Sequence, residues 1–242
     1  MTTVDIVIPV YNEEHDLPLS IAKLVEFLNA TPQFDGRIVI ADNASTDRTW
    51  EIAQDLARQF PRVRAEHLDL KGRGRALNTV WLRSDADIVS YMDVDLSTGL
   101  KFFPLLVQGL EVGYDVAIGS RHLQASYRER CLQREILSHG YNLMVRSLFG
   151  IKLSDAQCGF KAIRRDAAQR LLPHVQNTNW FFDSELLLLA IRHGYRVFEV
   201  PVDWIEDSDS RVRVAATATE DIKGLLRVRF SQRNPQILKR NA

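Results

Sequence analysis

Four short runs rich in β-branched residues, each closed by a cluster of polar side chains, constrain the fold of this chain more than any other feature. The runs are Val4 to Val10, Arg37 to Ala41, Val63 to Leu68 and Ile88 to Met92, and a fifth follows at Val116 to Ile118. Between the second and third, Trp50, Ala53, Leu56, Ala57 and Phe60 recur at helical spacing after Asp47, which reads as the N-cap, and Pro61 ends the helix. Strands alternating with amphipathic helices predict an α/β fold with a mostly parallel central sheet flanked by helices. Beyond residue 120 the pattern changes to a long helical stretch around Arg130 to Leu148, a strand at Gly159 to Ile163, a helix from near Asp183 and a strand near Val197 to Val202. No Pro/Gly-rich linker separates the two halves. The expected organisation is one domain over residues 1–215, with halves at about 1–100 and 101–215, followed by a basic amphipathic segment over 216–242.

With 242 residues, 45% of them hydrophobic, the chain is large enough to bury a sizeable core. Thirty-one Lys plus Arg balance thirty-one Asp plus Glu, so no overall field argues for a nucleic-acid partner. Cys131 and Cys158 are too few for a Cys-rich zinc site or a disulfide scaffold and read as reduced thiols of a cytoplasmic protein. The first residues show no basic region ahead of an apolar run, and the apolar stretches fall short of the ~20 residues of a spanning helix. Neither secretion nor a membrane span is expected. The last thirty-two residues differ: eight cations face only Glu220 and Asp221, a local charge of +6 in a chain of zero net charge. Ile222, Leu225, Leu226 and Phe230 stand at helical spacing among those cations. A helix lying on anionic lipid at the cytosolic membrane face and a surface helix docked by one apolar face fit this pattern equally.

In an open α/β sheet, ligands bind outside the carboxyl ends of the strands. Here those ends are followed by Pro9-Val10-Tyr11-Asn12-Glu13-Glu14, by Asp42-Asn43-Ala44-Ser45-Thr46-Asp47, by Lys71-Gly72-Arg73-Gly74-Arg75 and by Asp93-Val94-Asp95. Asp93 and Asp95 can turn toward one hard cation, Mg²⁺ or Mn²⁺, and leave room for a diphosphate. The Lys71 to Arg75 stretch suits a loop beside phosphates that opens a helix, and it does not complete the dinucleotide fingerprint. His15, His67, His122, His139, His174 and His193 show no metal-ligand spacing and read as structural or surface residues. The aromatic run Trp180-Phe181-Phe182 reads as core, and Cys158 as a small buried residue.

These blocks, in this order and spacing, resemble the nucleotide-sugar half of family 2 inverting glycosyltransferases with the GT-A fold. The later segments Gly119-Ser120-Arg121, Asp155 to Lys161, Trp180 to Leu186 and Glu199 to Trp204, with Arg134 and Ser138, resemble the polyprenyl-phosphate branch of that family, in particular dolichyl-phosphate glucosyl- and mannosyltransferases. The resemblance implies that Asp93 and Asp95 bind the metal, with Ser97 at a position where some relatives carry a longer ligating side chain. It implies that Asp42 contacts the base and that Pro9, Tyr11 and Glu13, with Lys71, line the nucleotide pocket. Two departures stand out: the family's Asp-Asp-Gly-Ser turn is Asp42-Asn43-Ala44-Ser45 here, and Ser97 is short.

A sugar hydroxyl needs a base to become a nucleophile, whereas a phosphate monoester is already anionic and needs positioning cations. Arg121, Arg128, Arg130 and Arg134 lie within fourteen residues and suit the second case, since guanidinium binds phosphate oxygens bidentately. The expected acceptor-phosphate residues are Arg121 and Arg134, joined by Arg211 from a late loop. Asp155 is expected to shape the sugar pocket beside Gln157. The catalytic set is then Asp95, Arg121, Arg134 and Asp155, moving glucose or mannose from UDP-glucose or GDP-mannose to a polyprenyl or dolichyl phosphate. Two alternatives stay open, a family 2 transferase with a soluble sugar or phosphorylated small-molecule acceptor, and a non-catalytic nucleotide-sugar-binding protein.

Overall fold

The computed structural model describes residues 1–126, 128–129, 132–205 and 214–231, without the side chains of 128–129, 132–134 and 214–217. Seven strands form one sheet: β1 (Thr3–Val10), β2 (Asp35–Asn43), β3 (Val63–Leu68), β4 (Ile88–Met92), β5 (Val116–Ser120), β7 (Phe160–Arg164) and β8 (Val197–Pro201). Their spatial order is β3-β2-β1-β4-β7-β5-β8. Every pairing is parallel except those of β7, which runs antiparallel to both β4 and β5. Two short strands, β6 (Arg128–Glu129) and β9 (Trp204–Ile205), pair beside it. The chain leaves β1 toward β2 and β3 on one side and returns to β4 on the other. A crevice therefore opens at the carboxyl ends of β1 and β4, where the strand order reverses.

Eight helices connect these strands among the described residues: α1 (Leu17–Asn29), α2 (Thr49–Gln59), α3 (Arg73–Arg83), α4 (Phe103–Glu111), α5 (Leu132–Phe149), α6 (Arg165–Leu171), α7 (Phe182–Arg192) and α8 (Val214–Phe230). Strand alternation sorts them into two layers. Val4, Ile6, Ile8 and Val10 of β1 face α1, α2 and α4 through Leu17, Ile21, Leu24, Ala53, Leu56, Phe103 and Leu106. Val7, with Val39, Val89 and Tyr91, faces α3, α6 and α7 through Leu77, Trp81, Leu171 and Leu186. A third cluster joins Val145 of α5, Phe181 and Leu188 of the α7 region, and Leu225 and Val228 of α8.

The start of α2 corrects one expectation. Arg48 holds the cap position, and Asp47 lies one residue earlier, where its carboxylate accepts the Thr49 N–H at 3.0 Å. A carboxylate satisfies an amide two residues on in this Asx-type turn, so it ties down the first turn from outside the helix. At the other end Phe60 is extended, as the residue before Pro61 must be. No helix among the described residues is long and apolar enough to cross a membrane.

Candidate active site

The turns after β1 and β2 are built as one unit. Asn12 and Ala44 both adopt left-handed backbone, at φ 56° and 59°. The Asn12 amide N–H donates to Ser45 Oγ at 3.0 Å, its side-chain Oδ1 accepts the Thr46 N–H at 2.8 Å, and the Glu13 N–H donates to Thr49 Oγ1 at 2.7 Å. Pro9 lies inside the β1–β2 ladder opposite Ala41. Over this rim Lys71 lays its Nζ 3.3 Å from the centre of the Tyr11 ring, a cation–π contact between two residues expected at the nucleotide. The loop carrying Lys71 is held by the Gly72 N–H, which donates to Asn43 Oδ1 at 2.6 Å. Gly72 is required there, because a Cβ would stand 2.6 Å from the Thr178 carbonyl oxygen.

Asp42 is fully buried at the end of β2. Its Oδ2 lies 2.6 Å from His67 Nδ1, and its Oδ1 has no partner among the described residues. A buried acceptor without a donor costs about 1–3 kcal/mol, so the site carries an unmet demand for an N–H. The sequence reading passed over His67. Asp42 and His67 are the penultimate residues of their strands and stand opposite each other in the β2–β3 register, an equal offset from two strand ends that could have paired them.

The Asp93-Val94-Asp95 turn follows β4 directly, and Leu96 within it is left-handed at φ 50°. Asp95 is exposed and accepts the Ser97 N–H at 2.9 Å. Asp93 is held from two sides. Its Oδ1 accepts from Arg73 Nη2, and its Oδ2 occupies the space in which a Cβ on Gly159 would sit, so a side chain at 159 would displace the carboxylate from this position. Asp93, Asp95, Leu96, Ser97, Thr98 and Gly159 line a shallow pocket. Two carboxylates and two hydroxyls form an all-oxygen donor set suited to a hard divalent cation. No three His, Cys, Asp or Glu side chains among the described residues converge into a full cage.

Arg73, at the first position of α3, points inward, toward Asp93 and Asp183. Its guanidinium bridges Asp93 and Asp183, the second at 2.8 Å, with the Tyr91 and Trp180 rings each 4.9 Å away. Asp183 also takes Lys161 Nζ at 3.0 Å and the Tyr91 hydroxyl. The run Trp180-Phe181-Phe182 thus divides: Phe181 and Phe182 are core, and Trp180 is exposed beside Arg73.

After β5, Arg121 and Asp155 form a buried bidentate pair, Nε to Oδ2 at 2.7 Å and Nη2 to Oδ1 at 3.0 Å. Neither bond uses Nη1. Burial works to raise the Asp155 carboxyl, and the Arg121 guanidinium outweighs it, holding the group well below the usual carboxylate range. The Gln157 N–H donates to Asp155 Oδ1, and its side chain donates to Asp221 of α8 at 2.9 Å. Burial, with Glu220 and Asp183 nearby, pushes the Asp221 carboxyl up to about 7. Cys158 is buried, and burial pushes its thiol up to about 12, which makes it inert. Arg134 falls on the first turn of α5, but its side chain lies outside the described residues, as do Arg130 and Arg211 entirely and the Arg128 side chain.

The structure therefore brings Tyr11, Lys71, Asp42, Asp93 and Asp95 to the carboxyl ends of β1, β2 and β4, and buries Arg121 with Asp155 after β5. The family model described as "Glycosyl transferase family 2" matches residues 5–172. The chain is 37% identical over 212 residues to glycosyltransferase AglD of Haloferax volcanii, covering 86% of this chain and 34% of AglD, so it spans about a third of that protein's length. It is 30% identical over 241 residues to a dolichyl-phosphate beta-glucosyltransferase of Dictyostelium discoideum, covering 93% of this chain and 73% of that one. Glucosyl-3-phosphoglycerate synthase from Mycobacterium tuberculosis, crystallised with Mn²⁺, UDP and phosphoglyceric acid, superposes with a TM-score of 0.72 at 17% identity, covering 96% of this chain and 80% of that one. On the family match, the relatives and the site at the strand ends, the chain belongs to glycosyl transferase family 2.

Proposed function

We propose that the protein transfers a hexose, with inversion and with a divalent cation, from a nucleoside-diphosphate sugar to a polyprenyl phosphate. The observation that carries this is the Asp93–Asp95 turn at the topological switch of the sheet, on the same carboxyl-end rim as the Lys71–Tyr11 contact after β1 and the unpartnered Asp42 oxygen at the end of β2. Asp42 Oδ1 accepts the base N–H, Lys71 balances phosphate charge, and Asp93 with Asp95 holds Mg²⁺ or Mn²⁺. A cation held there would stabilise the charge that develops on the departing diphosphate. An acceptor phosphate oxygen forms the new bond to the anomeric carbon as the bond to the diphosphate breaks on the opposite face. No proton has to be removed, so positioning cations are enough. Arg121 with its Asp155 partner, Arg134 and Arg211 are the residues proposed for that phosphate. The Dictyostelium relative's name supports a dolichyl-type acceptor and glucose.

A lipid acceptor calls for a surface that meets a membrane. α8 is docked through Leu225 and Val228 and still exposes Ile222, Leu226 and Phe230, the last 78% exposed, with Lys223 and Arg229 beside them. α5, which packs against α8, exposes Ile136, Leu137, Leu143 and Met144. Apolar residues flanked by cations fit an anionic lipid surface.

The test is a Mn²⁺-dependent assay pairing UDP-glucose, and separately GDP-mannose, with a short polyprenyl phosphate. Glycolipid formation that requires the cation and falls at least a hundredfold in Asp95→Asn is the expected result. Donor hydrolysis without glycolipid would move the acceptor to a soluble molecule, and full activity in Asp95→Asn would remove the metal assignment.

A further inference from the structure

Arg73 carries an inference beyond that reading, although it rests on the cation and diphosphate assigned there. The guanidinium is 12% exposed and bridges two carboxylates of different standing. Asp183 is buried and shared with Lys161 and Tyr91, so its hold on Nη1 is fixed within the core. Asp93 is 42% exposed and belongs to the proposed cation site, and it gives Oδ1 to Nη2. One arm of the arginine is therefore anchored, and the other occupies an oxygen that a cation would use.

Arginine cannot release its charge by deprotonation. An arm freed from Asp93 remains cationic in a largely buried position between Tyr91 and Trp180, where water compensates it poorly. It needs another anion, and the donor's diphosphate is the anion that arrives at this rim. We propose that Arg73 is a positioning residue that couples the two ligands: pivoting on Asp183, it exchanges Asp93 for a donor phosphate oxygen as Asp93 turns to the cation. Cation binding without nucleotide is then opposed by the Arg73–Asp93 pair, and each ligand strengthens the other by the same factor, as linkage requires.

The experiment is calorimetric titration of Mn²⁺ into the full chain, with and without saturating UDP, for wild type, Arg73→Gln and Arg73→Lys, each checked for folding by circular dichroism. In wild type, UDP is expected to tighten Mn²⁺ binding at least tenfold. In Arg73→Gln, Mn²⁺ without UDP is expected to bind about tenfold more tightly, and the enhancement by UDP to shrink by about the same factor. A uniform electrostatic change would shift both affinities together and leave the ratio intact, and such a result overturns the proposal. Arg73→Lys keeps the charge but replaces the two-nitrogen fork with a single point donor, which cannot stay anchored on Asp183 by one nitrogen while another exchanges Asp93 for phosphate. The ratio should fall there too, so a wild-type ratio in Arg73→Lys also overturns the coupling, even if Arg73→Gln fails to fold. Absence of Mn²⁺ binding in every protein, with UDP bound or not, would sink the cation site itself and the coupling with it.

Discussion

Ala44 holds a left-handed backbone at φ 59° in the turn after β2, a conformation that costs an L-residue with a Cβ roughly 1–2 kcal/mol. The family turn has glycine at this place, and the departure was visible in the sequence. What could not be read there was that the turn keeps its shape, because Asn12, Ser45 and Thr46 bond across it. Ala44→Gly should therefore stabilise the fold by about 0.5–1 kcal/mol after glycine's extra unfolded-state entropy, read as a higher urea midpoint with an unchanged slope. Asp42, Asp93, Asp95 and Lys71 were legible because each follows a strand whose end the apolar pattern marks. Arg73 was legible as a cation but not as a bridge, since Asp183 lies 110 residues away. The Arg121–Asp155 pair raises the same point: 34 residues separate partners that only the fold brings together. Arg121→Met leaves a buried carboxylate uncompensated and should cost about 3–5 kcal/mol in urea unfolding. Adding Asp155→Asn, which removes the charge and keeps an acceptor for the Arg121 and Gln157 amides, should recover most of that loss. If it does not, the pair's role lies in something other than mutual compensation.

At the level of elements, the strands of the first half came straight from β-branched runs, and β3 and β4 match those runs end to end. The antiparallel insertion of β7 between β4 and β5 did not, because a buried strand reads the same in either direction. Helix α8 shows how one periodic stripe can conceal two faces. Ile222, Leu226 and Phe230, spaced by four, stay exposed, whereas Leu225 and Val228 turn onto Val145, Phe181 and Leu188. The docked reading is the one seen in this helix, which also leaves an apolar stripe exposed on its other side. The two faces separate experimentally. Leu225→Ala empties a fully buried site and should destabilise by about 2–4 kcal/mol. Phe230→Ser should leave thermal unfolding within a degree or so while reducing co-sedimentation with vesicles containing phosphatidylserine. Equal vesicle binding by Phe230→Ser would detach this face from the membrane.

Across the whole molecule, two buried carboxyl groups with opposite pKa shifts make stability depend on pH in opposite ways. Asp155 is depressed, so its contribution is complete above an unfolded value near 3.8 and disappears as pH falls below it. Asp221 is raised from near 3.8 to about 7, so the folded protein binds a proton that the unfolded chain has already lost. Its contribution is complete below about pH 4 and is lost as pH rises through 7. The two together place greatest stability on the acid side of neutrality. Asp221 sits on α8, 4% exposed, bonded to Gln157 through Oδ2, while Oδ1 has no partner among the described residues. Ionisation there weakens the seating of α8 beside Gln157. Wild type should lose on the order of 2 kcal/mol between pH 5 and pH 8 through this group. Asp221→Asn keeps the acceptor for Gln157 and carries no charge, so its urea midpoint should vary less over that range and exceed that of wild type at pH 8. Parallel pH profiles for the two proteins would show that the proton linked to folding resides elsewhere.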